Sequence, residues 1–342
     1  MIKDQQHTVF MTGATGLVGS YLARLLVKNG YHVRALVRKD ADRSLLAEAR
    51  EKVEYFIGGV GDLDIIEEGM KGADIVVHAA GKVTFDPRKK KELTQVNQQA
   101  TRTMVNAALD AGTGHFLHVS SIAAIGRSLD LGVITENTPW QENPMNSIYA
   151  RSKFAAEREV WRAHAEGLQM SIINPALVMG AGFWQRSSLK LLMRVYKGLP
   201  FLPLGSAAFV DVRDLAKVMA LIIKNGPTNE RLITAPYNMK WSEVIPRLAE
   251  MMGKRAPTRE LPVILEKVAP YLLRLQASIT GMEQDITKES LRISKVDFEF
   301  NTVNGHLIPG FQYRSFDETL RDTIEAFMSS YPKGKKFEVL DL

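Results

Sequence analysis

Cysteine is absent from all 342 residues. That excludes disulfides, thiolate nucleophiles and cysteine-ligated zinc. The seven histidines show no paired ligand spacing such as His-x-x-x-His, so no metal site is read. No apolar run reaches the roughly 18 residues that a membrane-spanning helix needs. The first strand is expected by residue 8, which leaves no room for a signal peptide, so a cytoplasmic protein is expected. Repeats and low-complexity segments are also missing. Charge is not strongly one-sided: 44 basic and 38 acidic residues give a net charge of +6. The one dense basic run, Arg88-Lys89-Lys90-Lys91, has no aromatic residues between its charges. It reads as a solvated surface, and no nucleic-acid partner is expected.

What is present begins at residue 8. Residues 8–11 are apolar or β-branched and read as a buried strand. Gly13, Gly16 and Gly19 follow at three-residue spacing, and leucines 22, 25 and 26 then recur at helical spacing. A strand, a glycine turn and a helix form the context that a dinucleotide pyrophosphate requires. Gly13 allows the tight turn, Gly16 the approach of phosphate, and Gly19 close packing of helix on strand. The turn residues Thr15, Leu17 and Val18 belong to the same cradle, because a helix N-terminus offers free N–H groups.

A second strand is expected at 31–37. An acidic residue at its end selects NAD by holding the ribose 2′-hydroxyl; Arg38 and Lys39 stand nearby instead, with Arg43 beyond. Basic groups there suit a 2′-phosphate, so NADP is the expected cofactor, with NAD possible. Asp62 and Leu63 follow a third strand, Asp62 placed for the adenine edge. The small residues Ala79, Ala80 and Gly81 leave room for a ligand beyond a fourth strand, at 73–80. A helix at 91–111, a strand at 115–121 and a helix at 147–166 continue the alternation. The fold class expected is α/β: a doubly wound, parallel Rossmann-type sheet with a smaller mixed C-terminal region. Residues 1–175 form the dinucleotide-binding domain, with 207–235 returning to it. Residues 176–206 and 236–330 form the substrate region, and 331–342 a loose tail.

Tyr149 and Lys153 lie four apart on the expected helix and share one face. A nearby ammonium lowers a phenol's pKa and makes it a usable general acid. The same spacing at Tyr331 and Lys335 is a chance hit, because Pro332 and Gly334 disfavour a helix.

The motifs Thr12-Gly-x-x-Gly16-x-x-Gly19, His78-Ala79-Ala80-Gly81, Val119-Ser120-Ser121, Tyr149-x-x-x-Lys153, Asn174-Pro175-Ala176 and Phe209-Val210-Asp211-Val212-x-Asp214 occur in this order. The chain resembles the extended short-chain dehydrogenases/reductases, in particular the NAD-dependent epimerase/dehydratase family. The resemblance implies that Tyr149 exchanges a proton with the reacting oxygen and that Ser121 hydrogen-bonds it. It implies that Lys153 holds the nicotinamide ribose, that Pro175 and Val178 adjoin the cofactor, and that the chain is a homodimer. Ser121 is preferred to Ser120 because the family's hydroxyl sits five residues before a glycine, here Gly126. Dehydratases of the family place Asp-Glu after the catalytic threonine, where this chain has Ile122 and Ala123. Nucleotide-sugar enzymes carry Arg-Asp where Ala207 and Ala208 stand. The pattern is closest to the dihydroflavonol-4-reductase and 3β-hydroxysteroid dehydrogenase-like branch. An NADP(H)-dependent reductase of a ketone or aldehyde on a small apolar substrate is therefore expected, with Phe85, Met145, Phe183 and Trp184 as pocket candidates. The alternatives are a nucleotide-sugar epimerase using NAD, or a non-catalytic cofactor-binding protein.

Overall fold

The computed structural model describes residues 7–127, 132–281, 283–284 and 286–342. In chain order the first half runs β1 (Thr8–Thr12), α1 (Leu17–Lys28), β2 (His32–Val37), β3 (Glu54–Ile57), α2 (Leu63–Met70) and β4 (Ile75–His78). Then come α3 (Lys90–Leu93), a π-helical segment (Thr94–Gln99), α4 (Ala100–Asp110), β5 (His115–Val119), β6 (Val133–Ile134) and α5 (Ile148–Ala165). The second half runs β7 (Met170–Pro175), β8 (Leu177–Met179), α6 (Lys190–Tyr196), β9 (Ser206–Asp211), α7 (Val212–Asn225) and β10 (Arg231–Thr234). It ends with β11 (Tyr237–Lys240), α8 (Trp241–Met251), α9 (Val263–Thr280), α10 (Lys288–Ile293), β12 (Glu299–Phe300) and α11 (Phe316–Ser330).

The main sheet has seven parallel strands in the order β10-β7-β5-β4-β1-β2-β3. Its central strands read as continuous apolar runs because helices cover both faces. One core layer joins Val9 and Met11 to α1 and α7; the other joins Phe10, Val76 and Phe116 to α2, α4 and α5. The order reverses between β1 and β4. That reversal opens the crevice in which such sheets bind nucleotides.

Two expectations are corrected. Residues 209–212 do not return to the main sheet. β9 pairs instead with β8 (parallel) and β11 (antiparallel) in a separate three-stranded sheet, while α7 packs on α1 and β10 extends the main sheet. The tail 331–342 is docked, not loose. The Leu340 N–H donates to the Tyr21 hydroxyl at 2.9 Å, Arg24 donates to the Leu340 carbonyl at 3.1 Å, and Phe337 packs edge-on against Phe183. The apolar face of α11 and Trp184 complete a third core with Phe209 and Leu248.

Candidate active site

The glycine turn leaves β1 at Thr12. Gly13 has φ 75°, a conformation that L side chains resist. A Cβ there would stand 2.5 Å from the Ala79 carbonyl carbon, and one on Gly19 would collide with the Gly13 oxygen. The turn, the loop after β4 and α1 therefore meet at backbone contact. Gly16 caps α1 without a side-chain hydrogen bond, and no acidic residue occupies the first turn. The first-turn N–H groups, on Leu17, Val18 and Gly19, stay available beside Thr15, as an anion cradle requires. Arg38 and Lys39 are exposed directly after β2, and Arg43 stacks on the Tyr55 ring at 3.9 Å. Asp62 caps the α2 region, its carboxylate accepting the Gly59 N–H, and Leu63 beside it is exposed. The Ala80 N–H donates to Thr12 Oγ1 at 3.2 Å. A Cβ on Gly81 would lie 3.7 Å from Lys153 Nζ, so the loop after β4 reaches the lysine. Pro175 ends β7, and Val178 is buried in β8. Phosphate cradle, basic strand end and glycine loop lie along one edge of the sheet, and these residues fit a dinucleotide.

Ser147 starts α5 as its N-cap, its hydroxyl accepting the Ala150 N–H at 3.1 Å. Tyr149 and Lys153 follow one turn apart. The Ser121 hydroxyl stands near the Tyr149 phenol and favours its ionised form, while it accepts the Ala123 N–H at 3.1 Å. Serine and tyrosine, 28 positions apart in the chain, thus meet at one point. Lys153 is buried and donates to the Val119 carbonyl at 2.9 Å; burial brings its pKa down to about 8, opposed by Glu157. Glu157, one turn further, accepts from Asn174, whose side chain also donates to the Ser121 carbonyl at 3.0 Å. Asn174 therefore links the backbone of the serine to the helix of the lysine. Asn97, in the π-helical segment, brackets Lys82 through its N–H and carbonyl and donates to Ser152 at 2.8 Å. That π segment tilts the amide toward the loop, a common use of such insertions.

The electrostatics correct one expectation. Burial raises the Tyr149 pKa; the Ser121 hydroxyl and the charge of Arg127 oppose the rise, and Lys153 is not among the groups acting on the phenol. The reason is geometric, since the ammonium is turned to the Val119 carbonyl. Arg127 is a candidate site residue that sequence reasoning missed. Its guanidinium lies 5.2 Å from the Phe298 ring and 5.7 Å from that of Phe300. Its Nε is shut off from solvent, and no described residue accepts a hydrogen bond from it. Burial brings its pKa down to about 10, so it stays cationic near neutral pH. An arginine just past Gly126 carried no sequence signal, because its role depends on burial against a distant Phe-x-Phe strand.

Of the pocket candidates, Phe85 meets Tyr149 edge to face at 6.2 Å. Met145 is buried in the core with Ile122, Ile125 and Ile134. Phe183 faces Phe337 of the docked tail and carries the Arg186 guanidinium 4.4 Å above its ring. Trp184 is not a pocket residue: its indole N–H donates to Ser330 at 3.0 Å, and its ring packs on Phe327 inside the third core. A large aromatic with a polar edge satisfies both needs there.

Comparison with known proteins agrees with this geometry. The chain is 28% identical over 286 residues to cinnamoyl-CoA reductase 1 of Petunia hybrida, covering 78% of this chain and 84% of the relative. It is 29% identical over 265 residues to the ceramide reductase of Caulobacter vibrioides, covering 77% and 76%. Among solved structures, that of gox2253 superposes with a TM-score of 0.79 at 29% identity, covering 95% of this chain and 98% of the other. The profile of the NAD dependent epimerase/dehydratase family matches residues 9–235, the stretch that contains the glycine cradle, the serine and the Tyr-Lys pair. With two thirds of its length matched, this chain belongs to that family of NAD(P)-dependent oxidoreductases.

Proposed function

We propose that the protein is an NADP(H)-dependent reductase of a ketone or aldehyde on a small apolar substrate, acting also on the corresponding secondary alcohol. The observation that carries this reading is the meeting of Ser121, Tyr149 and Lys153 beside the glycine loop at 79–81. The nicotinamide, when bound, supplies or accepts the hydride. The chain's own residues handle the oxygen. Ser121 Oγ hydrogen-bonds it and polarises the carbonyl. The Tyr149 hydroxyl donates the proton that neutralises the developing alkoxide. Arg127 stabilises the phenolate left behind, and Lys153 positions the ribose. Asn174 and Asn97 hold the serine and the glycine loop in register.

An apolar substrate is supported by Phe85 against Tyr149 and by Phe298 and Phe300 around Arg127. Two relatives, a cinnamoyl-CoA reductase and a ceramide reductase, are named for reduction of molecules with an apolar part. Ala207 and Ala208 on β9 offer no bidentate grip to a nucleotide-sugar diphosphate. NADP is preferred over NAD because Arg38 and Lys39 occupy the end of β2. A homodimer through the helices that contain Asn97 and Tyr149 is part of the same proposal.

The test is oxidation of NADPH with a panel of ketones, aldehydes and UDP-sugars. The reading expects turnover with apolar ketones or aldehydes and none with UDP-sugars. Because epimerisation consumes no net cofactor, inversion of a UDP-sugar carbon followed separately with NAD, together with no NADPH oxidation by any ketone or aldehyde, would replace it with an epimerase. In parallel, NADPH should bind more tightly than NADH, and Arg38→Asp should narrow or reverse that gap. Equal dissociation constants in the unaltered protein would refute the cofactor assignment.

A further inference from the structure

α9 (Val263–Thr280) is apolar on the side that faces water. Ile264 is 76% exposed, Tyr271 58%, Leu272 60%, Leu275 60% and Ile279 77%, with Leu265 and Val268 exposed among them. At 100° per residue these side chains fall in one stripe about a third of the helix circumference wide. Eighteen residues at 1.5 Å each make that stripe roughly 27 Å long. The helix is fixed to the protein from its other side, where Ala277 is buried and the Pro270 carbonyl accepts from Gln284 at 2.9 Å. A contiguous exposed surface of this kind marks an interaction site.

The charges along the stripe name the partner. Lys267 and Arg274, seven residues apart, run along one edge, both exposed. Among the described residues neither pairs with a carboxylate. Lys288 sits over the Tyr271 ring at 4.4 Å and adds a third cation. The one acidic residue of α9, Glu266, is already neutralised by Lys295. A second copy packed antiparallel on the stripe would bring two such cationic edges together, and no unpaired acid of α9 would oppose them. A surface with an apolar interior beneath anionic head groups matches both features at once.

We propose that α9 seats the protein on an anionic lipid bilayer. Its Ile, Leu and Val side chains enter the acyl boundary, and Lys267, Arg274 and Lys288 lie at head-group level. The seat adjoins the candidate active site: the Gln284 N–H, just past α9, donates to Asp86 at 3.1 Å, next to Phe85. Arg292 of α10 donates to the Pro144 carbonyl at 2.7 Å, close to the start of the Tyr149 helix. The inference rests on α9 and on Lys288 of α10, and stands apart from the reaction proposed above.

The test is co-sedimentation of the full chain with vesicles of phosphatidylcholine and phosphatidylglycerol at about three to one, and with phosphatidylcholine alone. The protein should sediment with the anionic vesicles and partition at least about tenfold less to the neutral ones. The variant carrying Ile264→Gln, Leu272→Gln, Leu275→Gln and Ile279→Gln should lose at least about tenfold in partitioning while binding NADPH as before. Gln is a sound helix former and these sites are exposed, so retained cofactor binding reports the fold. Lys267→Glu with Arg274→Glu should abolish the preference for anionic vesicles. No sedimentation of the unaltered protein, or undiminished sedimentation of the Gln variant, would overturn the proposal. So would a Gln variant that dissociates a dimer in size measurements without any vesicle binding, because the stripe would then be covered by a second copy.

Discussion

Arg127 shows how a single residue can set the chemistry of another. In the proposed reduction Tyr149 gives up a proton near neutral pH, yet burial raises its pKa, and the opposing influences are the Ser121 hydroxyl and the Arg127 charge. Removing the charge with Arg127→Met should move the alkaline limb of the pH–rate profile upward, because the phenolate loses its stabilising cation. Arg127→Lys should restore most of the original profile. A pH profile unchanged in Arg127→Met would show that the guanidinium does not act on the phenol. The pairing of Tyr149 with Lys153 was readable from their spacing alone, since residues four apart share a helix face. What spacing does not give is the direction in which each side chain points. The lysine turns to the Val119 carbonyl, and the charge that acts on the phenol is that of Arg127.

At the scale of elements, the cradle between β1 and α1 was legible because each of its signals is local: apolar strand, three glycines, helical leucines. Its tolerance is correspondingly small. Gly13→Ala forces a side chain into φ 75° and against the Ala79 backbone. It should cost about 1–2 kcal/mol in stability from the left-handed conformation, and the clash with the Ala79 backbone adds to that. NADPH affinity should fall with it, read by thermal melting and by calorimetry; a variant with unchanged melting temperature and affinity would contradict the close approach described here. Elements stabilised at long range were less legible. β9 looked like a strand of the main sheet, but its partners β8 and β11 are set by tertiary packing. Recurring prolines obscured α8 and α9, which contain Pro246 and Pro270 within their bounds. The helix expected at 91–111 was legible, but its π-helical turn at Thr94–Gln99, which aims Asn97 at Lys82, was not.

At the scale of the whole molecule, three histidines are buried in the main sheet and held neutral. Burial takes His78 down to about 3 and His115 to about 4, and holds His118 well below its ordinary value. His78 bridges Thr12 and Thr101, and its ring stacks on His118 at 5.5 Å. A histidine whose folded pKa lies below its unfolded value takes up protons in the unfolded chain first. Stability should therefore be full above pH 6.5 and fall as pH drops from there toward about 4 and then 3. Thermal melts across that range check this, and a melting temperature flat from pH 7 to about 4 would contradict the burial of these rings. In the proposed reaction the whole arrangement, sheet, cradle and α5, serves one proton transfer, and Tyr149→Phe isolates it. The ring and its contact with Phe85 remain, and only the hydroxyl is lost. With a confirmed ketone substrate, we expect turnover to fall by about 10²–10⁴-fold, the usual contribution of a positioned acid. NADPH affinity, measured separately by calorimetry, should stay unchanged. Near-normal turnover in Tyr149→Phe would contradict the account and leave the likeness to the reductases as one of fold alone.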